Sequence, residues 1–247
     1  MKTKKSFLST VLVFALLVAF NGIAQEKEKD YQMAEIIYIK AKVGMEKAFV
    51  NAITGHNAKY HKDGKHKASL DNILTGKEAG WFVWIMGPCT FTDLDNRPSG
   101  AAHDEHWAKT VAPNVLKYGR TEYWRFNDKL SFVVNEDTPK YETIWFIDLK
   151  RGDYYRFKSL MSKIKEAYKK KNNDNIMVYN NQFNAGDGRD VAIVWGFNKW
   201  AELDDDDGGI KKTYEEINGE GSWENAMDEW TEITKKINSQ VWEIGVK

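Results

Sequence analysis

The sequence predicts an α+β protein made of two tandem copies of one βαββαβ unit, and three observations carry that expectation. The stretch IYIKAKVGMEKAFVNAI at 37 to 53 superposes on WFIDLKRGDYYRFKSLM at 145 to 161 with a constant offset of 108, so Lys42, Gly44 and Phe49 fall on Lys150, Gly152 and Phe157. FTDLD (91 to 95) and WAELD (200 to 204) each follow an apolar strand and a glycine, Gly87 or Gly196. Near the end of each copy, EYWRF (122 to 126) matches QVWEI (240 to 244).

The elements follow in order. An apolar run at 34 to 41 is the first strand, and Met45, Phe49, Ile53, His56 and Tyr60, at steps of three and four, predict an amphipathic helix over 45 to 62. The stretches 68 to 75 and 80 to 87 read as a hairpin turned by Gly76-Lys77-Glu78-Ala79. A second helical region is expected over about 100 to 118, with Pro113 kinking it or starting a new turn, and 120 to 134 returns as a strand. The second copy reads as strand 142 to 149, helix 153 to 171, strands 175 to 183 and 189 to 197 around Gly186-Asp187-Gly188, helices between 198 and 237, and strand 240 to 246. The polar NEDTPK (135 to 140) is the expected boundary, with 34 to 134 as the first unit and 141 to 247 as the second.

Each unit has the ferredoxin-like order, in which two helices cover one face of a four-stranded antiparallel sheet and leave the other face apolar. That face must be buried, and two copies in one chain can bury it against each other. With its short VG and RG strand-to-helix junctions and aromatic strands, the chain over 34 to 246 resembles the dimeric α/β barrel superfamily, whose best-known members are the antibiotic-biosynthesis-monooxygenase-like proteins. The resemblance implies an intrachain pseudo-dimer, and a space between helices and sheet where relatives hold substrate or haem. It also implies that haem-degrading relatives use a histidine ligand with Asn and Trp nearby. No residue-by-residue match to a catalytic set is found, so no catalytic residue and no cofactor is assigned.

The N-terminus places Lys2, Lys4 and Lys5 before an apolar run from about Val11 to Phe20 and the small-residue exit Gly22-Ile23-Ala24, the pattern of a secretory signal peptide cut after Ala24. The expected location is periplasmic or extracellular, with no membrane span left after cleavage. Removing residues 1 to 24 leaves 33 basic against 36 acidic residues, a net charge near −3, so no basic field for nucleic acid remains. The single cysteine, Cys89, excludes an internal disulfide and has no partner that would make it a nucleophile. Ten tryptophans suit a core held by packing alone, and they equally suit an aromatic-lined pocket.

All five histidines lie before residue 107, three in GHNAKYHKDGKH (55 to 66) and two in HDEHW (103 to 107). The repeat separates them. His56 stands where the second copy carries Ile164, facing the sheet; His61 stands where it carries Lys169 and is expected at the surface, as is His66 beyond Gly64. His103, Trp107 and Val111 share a stripe, with His106 as the reserve. The expected ligand-binding set is therefore His56, Tyr60, Trp84, His103, His106 and Trp107, lining a cavity of the first unit. HDEHW lacks the HExxH spacing, and no metal ligands are assigned from it. DDDDGGIKKTYE (204 to 215) is a poor calcium loop, with Gly208 and Lys211 at positions that want a ligand and an apolar residue. The stripe Trp223, Met227, Trp230, Thr234 and Ile237 reads as the core face of the last helix.

Three functions fit these readings. The first is an exported protein binding a small apolar or aromatic ligand in the first unit. The second is a cofactor-independent monooxygenase or haem-handling enzyme using the same cavity. The third is a structural or interaction module without a ligand.

Overall fold

The computed structural model describes residues 31–134, 137–183, 186–204 and 209–247. The expected signal peptide, part of the expected boundary and most of the acidic run at 204 to 208 lie outside them. The first half supplies β1 (Met33–Ala41), α1 (Glu46–Tyr60), β2 (Ala68–Ile73), β3 (Phe82–Cys89), a helical turn α2 (Phe91–Leu94), α3 (Ala101–His106) and β4 (Val115–Phe126). The second supplies β5 (Tyr141–Leu149), α4 (Tyr154–Lys171), β6 (Met177–Asn181), β7 (Val191–Phe197), α5 (Lys211–Asn218), α6 (Ser222–Ile233) and β8 (Thr234–Glu243).

The eight strands close into one antiparallel barrel in the order β1-β3-β2-β8-β5-β7-β6-β4, in which β4-β1-β3-β2 and β8-β5-β7-β6 are the same arrangement written twice. The two seams are short: Asn72 and Ile73 pair with Glu243 and Trp242, and Trp124 to Phe126 pair with Asn181 to Tyr179. Closure leaves the barrel no edge strand. The repeated Lys-x-Gly junction builds the same turn in both halves, with Met45 N–H donating to Lys42 O (2.9 Å) and Asp153 N–H to Lys150 O (3.0 Å). Gly44 and Gly152 hold φ of 79° and 94° there, which only glycine adopts without cost. Phe49 and Phe157 then point into fully buried slots.

Strand alternation sorts the core into three layers. The inner faces of both sheets meet inside the barrel, where Ile36, Tyr38, Trp124, Ile144, Phe146, Val194 and Trp242 pack together. Phe49, Ile53, Leu70, Phe82, Trp84 and Val111 form the outer core under α1. Phe157, Leu160, Met161, Ile164 and Ile193 form its counterpart under α4, with Trp223, Met227 and Trp230 of α6 packed against it.

Several expected boundaries move, two of them at the closing strands of the halves. The strand expected over 120 to 134 runs from Val115 to Phe126, because its first residues extend the ladder along β1 (Ala41 opposite Val115, Ile39 opposite Tyr118). The last helix, expected to reach 237, stops at Ile233, because residues from Thr234 onward pair with the whole of β5, Thr234 opposite Leu149. Thr234 and Ile237 therefore belong to β8 and not to the helical stripe; tertiary pairing overrides a helical period that ran on by chance.

The barrel interior holds a buried ion pair. Arg189 contacts Glu122 through Nε at 2.7 Å and Nη2 at 2.9 Å, and Nη2 donates to the Tyr38 hydroxyl at 2.6 Å. Its guanidinium lies 3.3 Å from the centre of the Phe146 ring. Cys89 is buried, its thiol pushed up to about 11 mainly by that burial, which fits an inert residue. No helix among the described residues is long and apolar enough to cross a membrane.

Candidate metal centre

Four of the five histidines meet on the outer face of the first sheet. His56, fully buried, sits on the sheet-facing stripe of α1 in the slot that Ile164 fills in α4. The six residues of the expected set come together here: the His56 ring lies 5.0 Å from Tyr60, 4.7 Å from His103, 5.2 Å from His106 and 5.0 Å from Trp107, centre to centre. Trp84, on β3, lies 5.2 Å from the His61 ring. The Tyr60 hydroxyl donates to Ala102 O at 2.9 Å and fastens α1 to α3. At these spacings the rings pack against one another in one cluster.

His61 corrects its expected place: it is 4% exposed, not a surface residue. The helical phase that placed it beside Lys169 fails because α1 ends at Tyr60, whereas α4 runs on to Lys171. His61 leaves the helix at φ −134°, ψ 38°, its N–H still donating to Asn57 O at 2.8 Å, and its side chain turns back under the helix. His66 is also partly buried, its Nε2 donating to Asp93 O at 2.7 Å. The lysines at 59, 62, 65 and 67 are exposed, as a charged helix tip requires.

Hydrogen-bond partners assign the tautomers. His61 Nδ1 faces the carbonyl of His66 at 3.0 Å and must carry a proton, which leaves Nε2 as a bare lone pair. His103 Nδ1 faces Asp104 Oδ1 at 2.9 Å and is likewise the donor, which in the neutral ring leaves Nε2 bare. With both rings neutral these two nitrogens stand 3.2 Å apart, a repulsive contact unless a proton or a metal cation lies between them. His56 adds its Nε2 at 3.1 Å from His103 Nε2, while its Nδ1 is 3.1 Å from His106 Nδ1. With His56 Nδ1–H donating to His106, three Nε2 lone pairs converge, and ligand atoms of His56, His61 and His103 all lie within 4.8 Å of one another.

Nitrogens bonded to zinc at about 2.0–2.1 Å in a tetrahedron stand about 3.3–3.4 Å apart, close to the two spacings that His103 makes with His56 and His61. The committed Nδ1 atoms supply the outer partners that orient imidazoles on a metal. Burial, with the neighbouring charges of His103, His61 and His106 behind it, lowers His56 to about 4, and burial lowers His61 as well, so burial favours the neutral, ligating form of both. Two positioning residues escaped the sequence reading. Asp104 was visible beside His103 in HDEHW, whereas Asn57, whose Oδ1 accepts from Trp84 Nε1 at 2.9 Å, had no signal beyond adjacency to His56.

Haem, which the resemblance implies, does not fit these residues. An axial imidazole needs a flat macrocycle against its free nitrogen, and here each free Nε2 faces another imidazole; the second half contains no histidine.

The fold and the order of its strands define a dimeric α/β barrel with both halves in one chain. No family model matches the chain, and no curated protein matches its sequence. Solved structures do match: an anthrone oxidase-like protein (TM-score 0.56, 8% identity, covering 88% of this chain and 92% of that one) and a presumed monooxygenase from Lactobacillus acidophilus NCFM (0.55, 9%, 87% and 95%). A third is chlorite dismutase from Candidatus Nitrospira defluvii in complex with imidazole (0.51, 7%, 85% and 90%). At these identities the likeness is one of fold.

Proposed function

We propose that this protein holds a first-row divalent transition-metal ion on the Nε2 atoms of His56, His61 and His103, and that a small molecule occupies the remaining coordination position. The observation that carries this reading is the 3.2 Å approach of the Nε2 atoms of two imidazoles whose Nδ1 protons are both committed elsewhere. It departs from the expectation of no metal, in which HDEHW lacks the HExxH spacing and His61 lies at the surface. Three protein ligands leave a site open to water or substrate, as in catalytic rather than structural zinc centres. Tyr60 and Trp107 pack against His56 and Trp84 against His61, so aromatic groups flank the ligating histidines, which suits a small apolar or aromatic ligand.

The ion sets the chemistry. Zinc makes the site a Lewis acid that lowers the pKa of bound water toward neutrality; iron or copper makes it a redox centre, closer to the oxidase-like and monooxygenase names that the structural neighbours carry. Metal analysis of the chain beginning at Gln25, after stripping and reloading, is expected to find one ion per chain. His56→Ile, which copies the second half, His61→Ala and His103→Ala are each expected to cut that content at least about tenfold, consistent with loss of an inner ligand. A wild-type chain that takes up no ion, or variants that retain it, overturns the proposal.

We also propose export through residues 1 to 24. N-terminal sequencing of the protein recovered from its own cells is expected to begin at Gln25; a chain beginning at Met1 refutes this.

A further inference from the structure

The barrel interior contains a cavity of about 130 Å³ on the face of the first sheet opposite the histidines. Its walls are aliphatic side chains of β1, β3, β5 and β7 together with Trp124, Phe146, Tyr179 and Trp242, and one acid, Glu142, lines it. An apolar cavity of about 150 Å³ holds a benzene ring, so this one takes about five or six non-hydrogen atoms.

The two ends of the interior are charged differently. At one end Arg189 is neutralised by Glu122 and stacks on Phe146, a wall of the cavity, so the charge there is paired. At the other end Glu142 forms no hydrogen bond or ion pair through its carboxylate among the described residues. Its charged neighbour there, Asp71, is buried and accepts only the Gly245 N–H, at 2.9 Å. Among the described residues no lysine or arginine pairs with either acid. A carboxylate facing an apolar cavity without a counter-ion is costly, and a ligand that brings the counter-ion removes that cost. Aromatic faces on the remaining walls attract a cation further.

We infer that the barrel interior binds a small organic ammonium, a primary amine on a single-ring or short-chain apolar body, with its charge against Glu142 and its body among Trp124, Tyr179 and Trp242. Calorimetric titration of the chain beginning at Gln25, in EDTA at about pH 8, tests this independently of any metal on the histidines. The probes are cyclopentylamine and its uncharged isostere cyclopentanol. Cyclopentylamine is expected to bind the wild type at least about tenfold tighter than it binds Glu142→Gln, while cyclopentanol distinguishes the two proteins by less than about twofold. Ala34→Leu, which puts a larger side chain into the cavity, is expected to abolish binding of both probes and to raise the melting temperature. The inference fails if neither probe binds, if Glu142→Gln leaves cyclopentylamine affinity unchanged, or if the filled cavity still binds it.

Discussion

Replacing Arg189 with alanine is expected to lower the free energy of unfolding by about 3 kcal/mol, read from urea denaturation at neutral pH. Glu122 would remain buried without its main cation, and breaking one side of a buried pair usually costs about 3–5 kcal/mol because the surviving charge stays in a poor solvent. The lower end applies because Arg120 Nη1 still reaches Glu122 Oε1 at 3.5 Å, although that arginine is shared with Asp187 at 2.7 Å. The double variant Arg189→Met with Glu122→Gln removes both charges and keeps the volume, and should recover most of the loss. A single variant within about 1 kcal/mol of wild type would show that the pair is hydrated and contributes little.

Stability is also expected to decline as pH rises toward neutrality, through Glu142. Burial, aided by the charge of Asp71, raises its carboxyl from 4.5 to about 7, and burial raises Asp71 from 3.8 to about 7. A carboxyl raised in the folded state binds its proton more tightly there than in the unfolded chain. Its stabilising contribution is complete below the unfolded value and is lost as pH climbs through the folded one. For Glu142 the difference corresponds to about 3 kcal/mol between pH 4.5 and pH 7. The groups facing it are Asp71 and Tyr179, whose hydroxyl is itself pushed up by burial. Denaturation midpoints measured across that range should fall in the wild type and fall distinctly less in Glu142→Gln; parallel curves would contradict the assignment. Amine binding and this pH dependence should oppose each other, since a bound cation favours the ionised acid.

Sequence periodicity carried the strands and helices because covering one face of a sheet imposes steps of two and of three to four that local composition preserves. The contrast between His56 and Ile164 was visible for the same reason: both occupy one buried slot. Reasoning by helical phase stops being valid where the helix stops, and α1 ends one residue before His61, so the third ligand was assigned to water. The end of α6 was misplaced because Thr234 and Ile237 keep a helical step while their partners in β5 draw them into the barrel. Neither the cavity beside Glu142 nor the pairing of Arg189 with Glu122 has a local signature, since each depends on strands from opposite halves meeting.

The closing strands of the two halves end on matching devices. Trp124 Nε1 donates to Glu122 two residues before it, at 3.0 Å, and Trp242 Nε1 donates to Gln240 in the same way, at 2.8 Å. In an assembly of two identical chains those positions would have to be the same residue, and the interior would carry two glutamates and two arginines related by the axis. Joining the copies covalently frees each position to change alone. One half can then keep the acid that Arg189 needs while the other keeps an uncharged amide, and histidines gathered under one helix need not be repeated under its twin. Fusion thus turns a symmetric shell into a handed one, in which a single centre evolves without a mirror copy that must be kept harmless.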